Sequence, residues 1–131
     1  MRRPAISAVV RYLRTLAPRL GLTDWHFEVE YLEMPSNWAR VVASPGKSLA
    51  SMEVSPSLFR ESAAEQRQTF VHELLHVHLF PMEWSFESAA RELGLRARRV
   101  AVEVWAQRSE KACDDLARLL TPGLPLPPWC S

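Results

Sequence analysis

Phe70-Val71-His72-Glu73-Leu74-Leu75-His76-Val77-His78 is the stretch from which the architecture of this chain can be read. It contains H-E-x-x-H, spelled His72-Glu73-Leu74-Leu75-His76. On a helix, residues four apart lie one turn above each other on the same face. His72 and His76 can therefore both point an imidazole at one metal ion, with Glu73 on the adjoining edge. Two neutral imidazoles that hold a metal, beside a carboxylate that takes a proton from water, are the parts of a zinc hydrolase. Chance places this pattern in a chain with only four His about once in a hundred. The competing reading is a core helix that happens to carry histidines.

Reading outward, Ser62-Ala63-Ala64-Glu65 is a capping box, with Ser at the N-cap and Glu three residues on. It predicts a helix from Ser62 to about Phe80, where Pro81 stops it. Val71, Leu74 and Leu75 fall away from the His72/His76 stripe and can pack into a core. His78 is two residues past His76, faces elsewhere, and reads as a packing or hydrogen-bonding histidine.

Before this helix, Ala5 to Leu20 is amphipathic: Ile6, Val9, Val10, Leu13, Leu16 and Leu20 recur at threes and fours, and Gly21 marks the stop. Trp25 to Leu32 alternates as a half-buried strand, with Trp25, Phe27, Val29 and Tyr31 inward and His26, Glu28 and Glu30 outward. His26 is thus a solvent-facing residue rather than a ligand. Trp38–Ala43 and Leu49–Val54 read as a hairpin joined by the turn residues Ser44-Pro45-Gly46-Lys47. Beyond Pro81, Phe86 to Leu93 is a short helix or the first turns of a longer one, and Gly94 is a break. Leu95–Leu120 is a long helix with Val102, Trp105, Cys113, Leu116 and Leu120 near one stripe. The Pro-rich tail 121–131 is either an extended strap held through Leu124, Leu126 and Trp129 or loose.

The 131 residues suit one domain, 1–131, with a single core. Hydrophobic content of 47% with 24% charged residues is that of a folded globular chain. A formal charge of +1 argues against a strong field for nucleic acid or membrane. Arg11 and Arg14 interrupt any signal-like apolar run, and no stretch is long enough to span a bilayer. Cys113 and Cys130 are expected to stay unpaired, in keeping with a reducing cytoplasm.

Two histidines leave zinc in need of a third protein ligand. The candidates are carboxylates on the last helix, where Glu103, Gln107, Glu110 and Asp114 share a face. Glu110 is favoured because Asp114 lies one turn beyond it, placed to accept the second N–H of a ligating histidine and fix its orientation. Glu103 is the alternative ligand, and a solvated acidic stripe is the bland reading of both.

H-E-x-x-H followed on a later helix by Glu110-x-x-x-Asp114 resembles the thermolysin-like gluzincin metallopeptidases. The run from Glu65 to His76, and that from Glu110 to Ala117, are similar to small metallopeptidases encoded in bacteriophages and prophages. The resemblance is specific only in these two stretches. It implies an α+β, minimal zincin-like domain: an N-terminal helix, a short three-stranded, twisted and mostly antiparallel sheet with a hairpin, a metal-binding helix and a long C-terminal helix. It implies one Zn2+ on His72, His76 and Glu110, Glu73 as general base, and a protein or peptide substrate in the cytoplasm, the host's if the chain is phage-encoded. It also implies that Leu49–Val54 is the edge strand on which extended substrate docks, with Ser48, Ser51 and Met52 lining it. No Tyr or His corresponds to the oxyanion-stabilising group of that family.

Two other readings compete with the peptidase. One is a zinc-bound, catalytically silent module that sequesters a host regulator. The other is a SprT-like protease acting on DNA-bound proteins, for which Arg91, Arg96, Arg98, Arg99 and Arg108 supply the basic cluster. Glu87, Glu92 and Glu103 balance that cluster, and neither a zinc ribbon nor interleaved aromatics accompany it.

Overall fold

The computed structural model describes residues 2–131. Helix α1 (Ile6–Arg19) buries Val9, Leu13 and Leu16, the apolar stripe of the sequence. It ends in a paired C-terminal turn. The Leu22 N–H bonds the Ala17 carbonyl at 2.8 Å and the Gly21 N–H bonds that of Pro18 at 3.1 Å. This turn needs a left-handed residue after the cap, and Gly21 supplies it with φ of 82°.

Three strands follow: β1 (His26–Tyr31), β2 (Ala39–Ala43) and β3 (Leu49–Val54). β2 and β3 form the expected hairpin, with Val41 opposite Met52. The order in the sheet is β1-β3-β2, and β1 pairs with β3 in parallel. The sheet is therefore mixed, one parallel and one antiparallel pair, rather than mostly antiparallel. Alternation fixes which face of a strand is buried, and Phe27, Val41, Ala50, Met52 and Val54 do face the core. It carries no information about strand order. Here β3 inserts between its two predecessors, so β1 meets the second arm of the hairpin rather than the first.

A 3-10 turn (Pro56–Arg60) contributes the buried Leu58 and Phe59 and leads into α2 (Ala63–Ala90). The Ser62 hydroxyl accepts the Glu65 N–H at 3.2 Å, as the capping box requires. Phe70, Val71, Leu74 and Val77 then turn into the core. A fully buried side chain of this size contributes about 1.5–3 kcal/mol, so this half of α2 is anchored along its length.

The helix does not stop at Pro81. It continues unbroken to Ala90, and Phe86–Leu93 is its last turn and the bend that follows. A proline inside a helix costs about 3 kcal/mol through a lost hydrogen bond and a steric clash. Aromatic contacts offset this. Phe80 stacks on Trp84 across the proline, with centroids 5.9 Å apart, and Phe86 stacks on Trp105 of the next helix at 5.1 Å and 15°.

Gly94 caps that next helix, α3 (Leu95–Leu120), which folds back along α2 as a helical hairpin. Only Cys113 and Ala117 of α3 are buried. The expected apolar stripe is thus only partly used, and Val102, Leu116 and Leu120 remain exposed. The stripe drifts because α3 covers the core with its last turns and touches only α2 with its first. Cys113 and Cys130 are free thiols, and burial pushes the Cys113 thiol up to about 12.

The tail is a strap. Trp129 meets Tyr12, Phe59 and Phe70 edge-on. Its indole N–H donates to Gln66 Oε1 at 2.7 Å, while the Gln66 amide donates to the Glu61 carbonyl at 2.9 Å. Arg67 holds the Leu124 carbonyl and Tyr12 that of Pro125. Leu126, expected to share the packing, is 50% exposed. Among the described residues no helix is long and apolar enough to cross a membrane.

Candidate metal centre

The helix periodicity of α2 brings the two imidazoles together, with the Nε2 atoms of His72 and His76 3.1 Å apart. The Glu110 carboxylate approaches them from α3. Its Oε1 lies 2.7 Å from His76 Nε2 and its Oε2 3.1 Å from His72 Nε2. His72, His76 and Glu110 form a group that could hold a metal ion, with ligand atoms all within 4.8 Å of one another.

The donor set fits such an ion. Zinc takes nitrogen and oxygen donors at about 2.0–2.2 Å in a tetrahedron, which places neighbouring donors a little over 3 Å apart. His72 Nδ1 lies 2.8 Å from Asp114 Oδ1. A neutral His72 therefore donates its proton to Asp114 and leaves Nε2 as a bare lone pair. That lone pair faces a carboxylate oxygen, an arrangement that asks for a cation between them. Burial lowers the pKa of His76, against the opposing pull of Glu110, which favours the neutral, ligating imidazole.

The hairpin register explains why Glu110 arrives and Glu103 does not. His76 lies fifteen residues before the Arg91 cap of α2, and Glu110 sixteen after the Gly94 cap of α3. In an antiparallel pair these positions are level. Glu103 is two turns nearer the bend, about 10 Å along the axis, and is absent from the cluster.

Glu73 is buried, at 8% exposure, beside this group. Burial first, then the Glu110 and Asp114 carboxylates, push its carboxyl up to about 8. A carboxyl held near neutrality is suited to exchanging protons, and a cation close by would favour its charged form.

A cleft of about 810 Å³ opens over these groups. One wall is a single face of α2, carrying Glu65, Thr69, His72, His76, Phe80 and Glu83 at helical spacing. The other wall is the chain from Met34 to Asn37 and the start of β2, with Trp38, Ala39 and Val41. β2 is an outer strand of the sheet. β3 is the central strand, hydrogen-bonded on both sides, so the edge expected at Leu49–Val54 lies one strand over. Met52 is buried under the helices, Ser51 faces solvent on the outer surface, and neither borders the cleft. The hydropathy pattern holds nothing that distinguishes a central from an outer arm of a hairpin. The cleft face of α2 was available from spacing alone, by extending the His72/His76 stripe in both directions.

His78 is turned away from the cluster, and its ring nitrogen hydrogen-bonds the Leu20 carbonyl at the end of α1. His26 is exposed on β1. Arg91, Arg96, Arg98, Arg99 and Arg108 are all exposed around the α2–α3 bend and along α3, and none lines the cleft.

Comparison of the chain with protein-family models, with curated proteins and with solved structures gives no match.

Proposed function

We propose that this chain is a zinc-dependent peptidase of minimal zincin type. The observation that carries the reading is the convergence of three ligand atoms of suitable spacing with a buried carboxyl at the floor of an open cleft. His72, His76 and Glu110 would hold the ion, and the Asp114 carboxylate would keep the His72 ring in its ligating tautomer. Bound there, zinc supplies Lewis acidity and brings the pKa of water towards neutrality. Glu73 accepts a proton on its carboxylate from the attacking water and returns it to the leaving amine.

The outer strand β2 gives an extended chain backbone groups to pair with along the cleft. This replaces β3 as the docking strand. The apolar wall from Trp38 and Val41 offers side-chain contact on the same side.

Zinc-loaded protein is expected to cleave unstructured protein substrates, and Glu73→Gln to retain one zinc while losing at least a hundredfold in rate. Cleavage by Glu73→Gln at the wild-type rate, with zinc content verified, sinks the mechanism. Tight binding of a polypeptide with no turnover in the wild type would instead favour a silent binding module.

A further inference from the structure

The cleft does not end at the metal cluster. Past His76 the cleft face of α2 continues to Phe80 and, because the helix runs through Pro81, on to Glu83. Glu83 is seven residues after His76, so it returns to the same side of the helix. It is half-buried and lines the cleft. No Lys, Arg or His lies within ion-pairing distance of it among the described residues. Glu87, one turn further on, is a second unpaired carboxylate. Like charges at this spacing repel. Burial and that neighbour both raise the Glu83 pKa. The fold thus holds an uncompensated negative charge at one end of the cleft.

Phe80 stands one turn before Glu83 on this wall, stacked on Trp84. An aromatic face beside a carboxylate suits a long cationic side chain. The ring takes the methylene stem and the charge, and the carboxylate takes the head group. Elsewhere in the lining the one Lys or Arg, Arg40, is already held by Glu53 at 2.7 Å.

We infer that Phe80 and Glu83 form a specificity subsite that selects Lys or Arg in the substrate peptide. This rests on the reading of the cleft as a peptide-binding site. The seven residues from His76 to Glu83 span about 10 Å of helix, and an extended peptide advances about 3.3 Å per residue. The selected residue therefore lies two or three positions from the scissile bond, on the side facing the C-terminal half of α2. Glu83 is a binding residue and takes no part in proton transfer.

The test has two arms. In the first, zinc-loaded protein digests a peptide library and the cut sites are read by mass spectrometry. Lys and Arg are expected to be enriched about fivefold at one position two or three residues from the cut, the scale of a partly exposed ion pair. Glu83→Gln should flatten that position, and Glu83→Lys should shift it to Asp and Glu. In the second arm, zinc-loaded Glu73→Gln binds labelled ten-residue peptides that differ only in Arg, Gln or Glu at one site. The Arg peptide should bind about fivefold tighter than the Gln peptide at low salt, and added Glu83→Gln should erase the difference. Matching melting curves for the variants establish that each is folded. Cleavage with a flat profile, or a basic preference that survives Glu83→Lys, overturns the subsite and leaves the peptidase reading intact. Peptides that bind with the Glu83-dependent preference but are never cut by wild type overturn the peptidase reading and support the subsite. Equal binding of all three peptides, or none, overturns the subsite.

Discussion

Asp114 touches His72 on the nitrogen away from the cluster, so in the proposed metal site its contribution would be one of orientation. Asp114→Asn is expected to weaken zinc binding by about 10–100-fold without abolishing it, as read by competition with a chromophoric chelator. An unchanged affinity would mean that the ring is held by packing alone. Glu73 makes a pH prediction for the metal-free protein. Its carboxyl holds a proton up to about pH 8 in the fold, against 4.5 ordinarily. Between those values the folded state binds a proton that the unfolded chain has released, so stability falls as pH rises. His76 has the opposite sign: burial lowers its pKa, so its contribution is complete above its ordinary value of about 6.5. From there to pH 8 the Glu73 slope stands alone of the two. Metal-free protein should lose on the order of 1 kcal/mol per pH unit in urea melts, and Glu73→Gln should remove most of the slope. A flat profile for the wild type contradicts the assigned burial of the charge.

The element that does most of the positioning is α2. Pro81 in its interior is a local cost that the rest of the helix overrides. Pro81→Ala is expected to stabilise the fold by about 1–3 kcal/mol, while Trp105→Ala should raise amide exchange in the hairpin around the bend and leave α1 and the sheet protected. A destabilised Pro81→Ala would mean that the proline itself packs where alanine cannot. The same helix shows how far the sequence could be read. Ser62, Glu65 and the His72/His76 spacing fix its start and its cleft face, because caps and periodicity are local. Glu110 with Asp114 was legible as a pair one turn apart. The far end of α2 was not, because what carries the helix past Pro81 is a stack on Trp105, nineteen residues after Phe86. The mostly antiparallel sheet was misjudged for the same reason: pairing β1 with β3 in parallel is a tertiary choice with no mark in either strand's alternation. Glu83 and the outer position of β2 both depended on those two non-local facts.

At the scale of the whole molecule, the His72–His76–Glu110 group ties α3 to α2 at the level where α3 begins to share the core. Zinc should act as a clasp. At a hundredfold excess over Kd it adds about 2.7 kcal/mol of stability, and the thermal midpoint should rise accordingly and return on chelation. No shift with zinc would refute the site. The strap closes the opposite side of α2. Trp129→Ala removes a three-way aromatic contact and leaves the buried Gln66 carbonyl without its donor. A loss of about 3–5 kcal/mol is expected, read by urea denaturation, with zinc affinity preserved in the molecules that remain folded. The outer strand β2 has one more consequence. A strand with one unpaired edge is open to a second copy of the same chain, because unpaired strands are where sheets join edge to edge. This one is guarded by its brevity, five residues, and by the Arg40 charge. Replacing Arg40 with an apolar residue would therefore be felt first as concentration-dependent self-association, before any loss of folding: one open strand edge sets how crowded a solution this protein can tolerate.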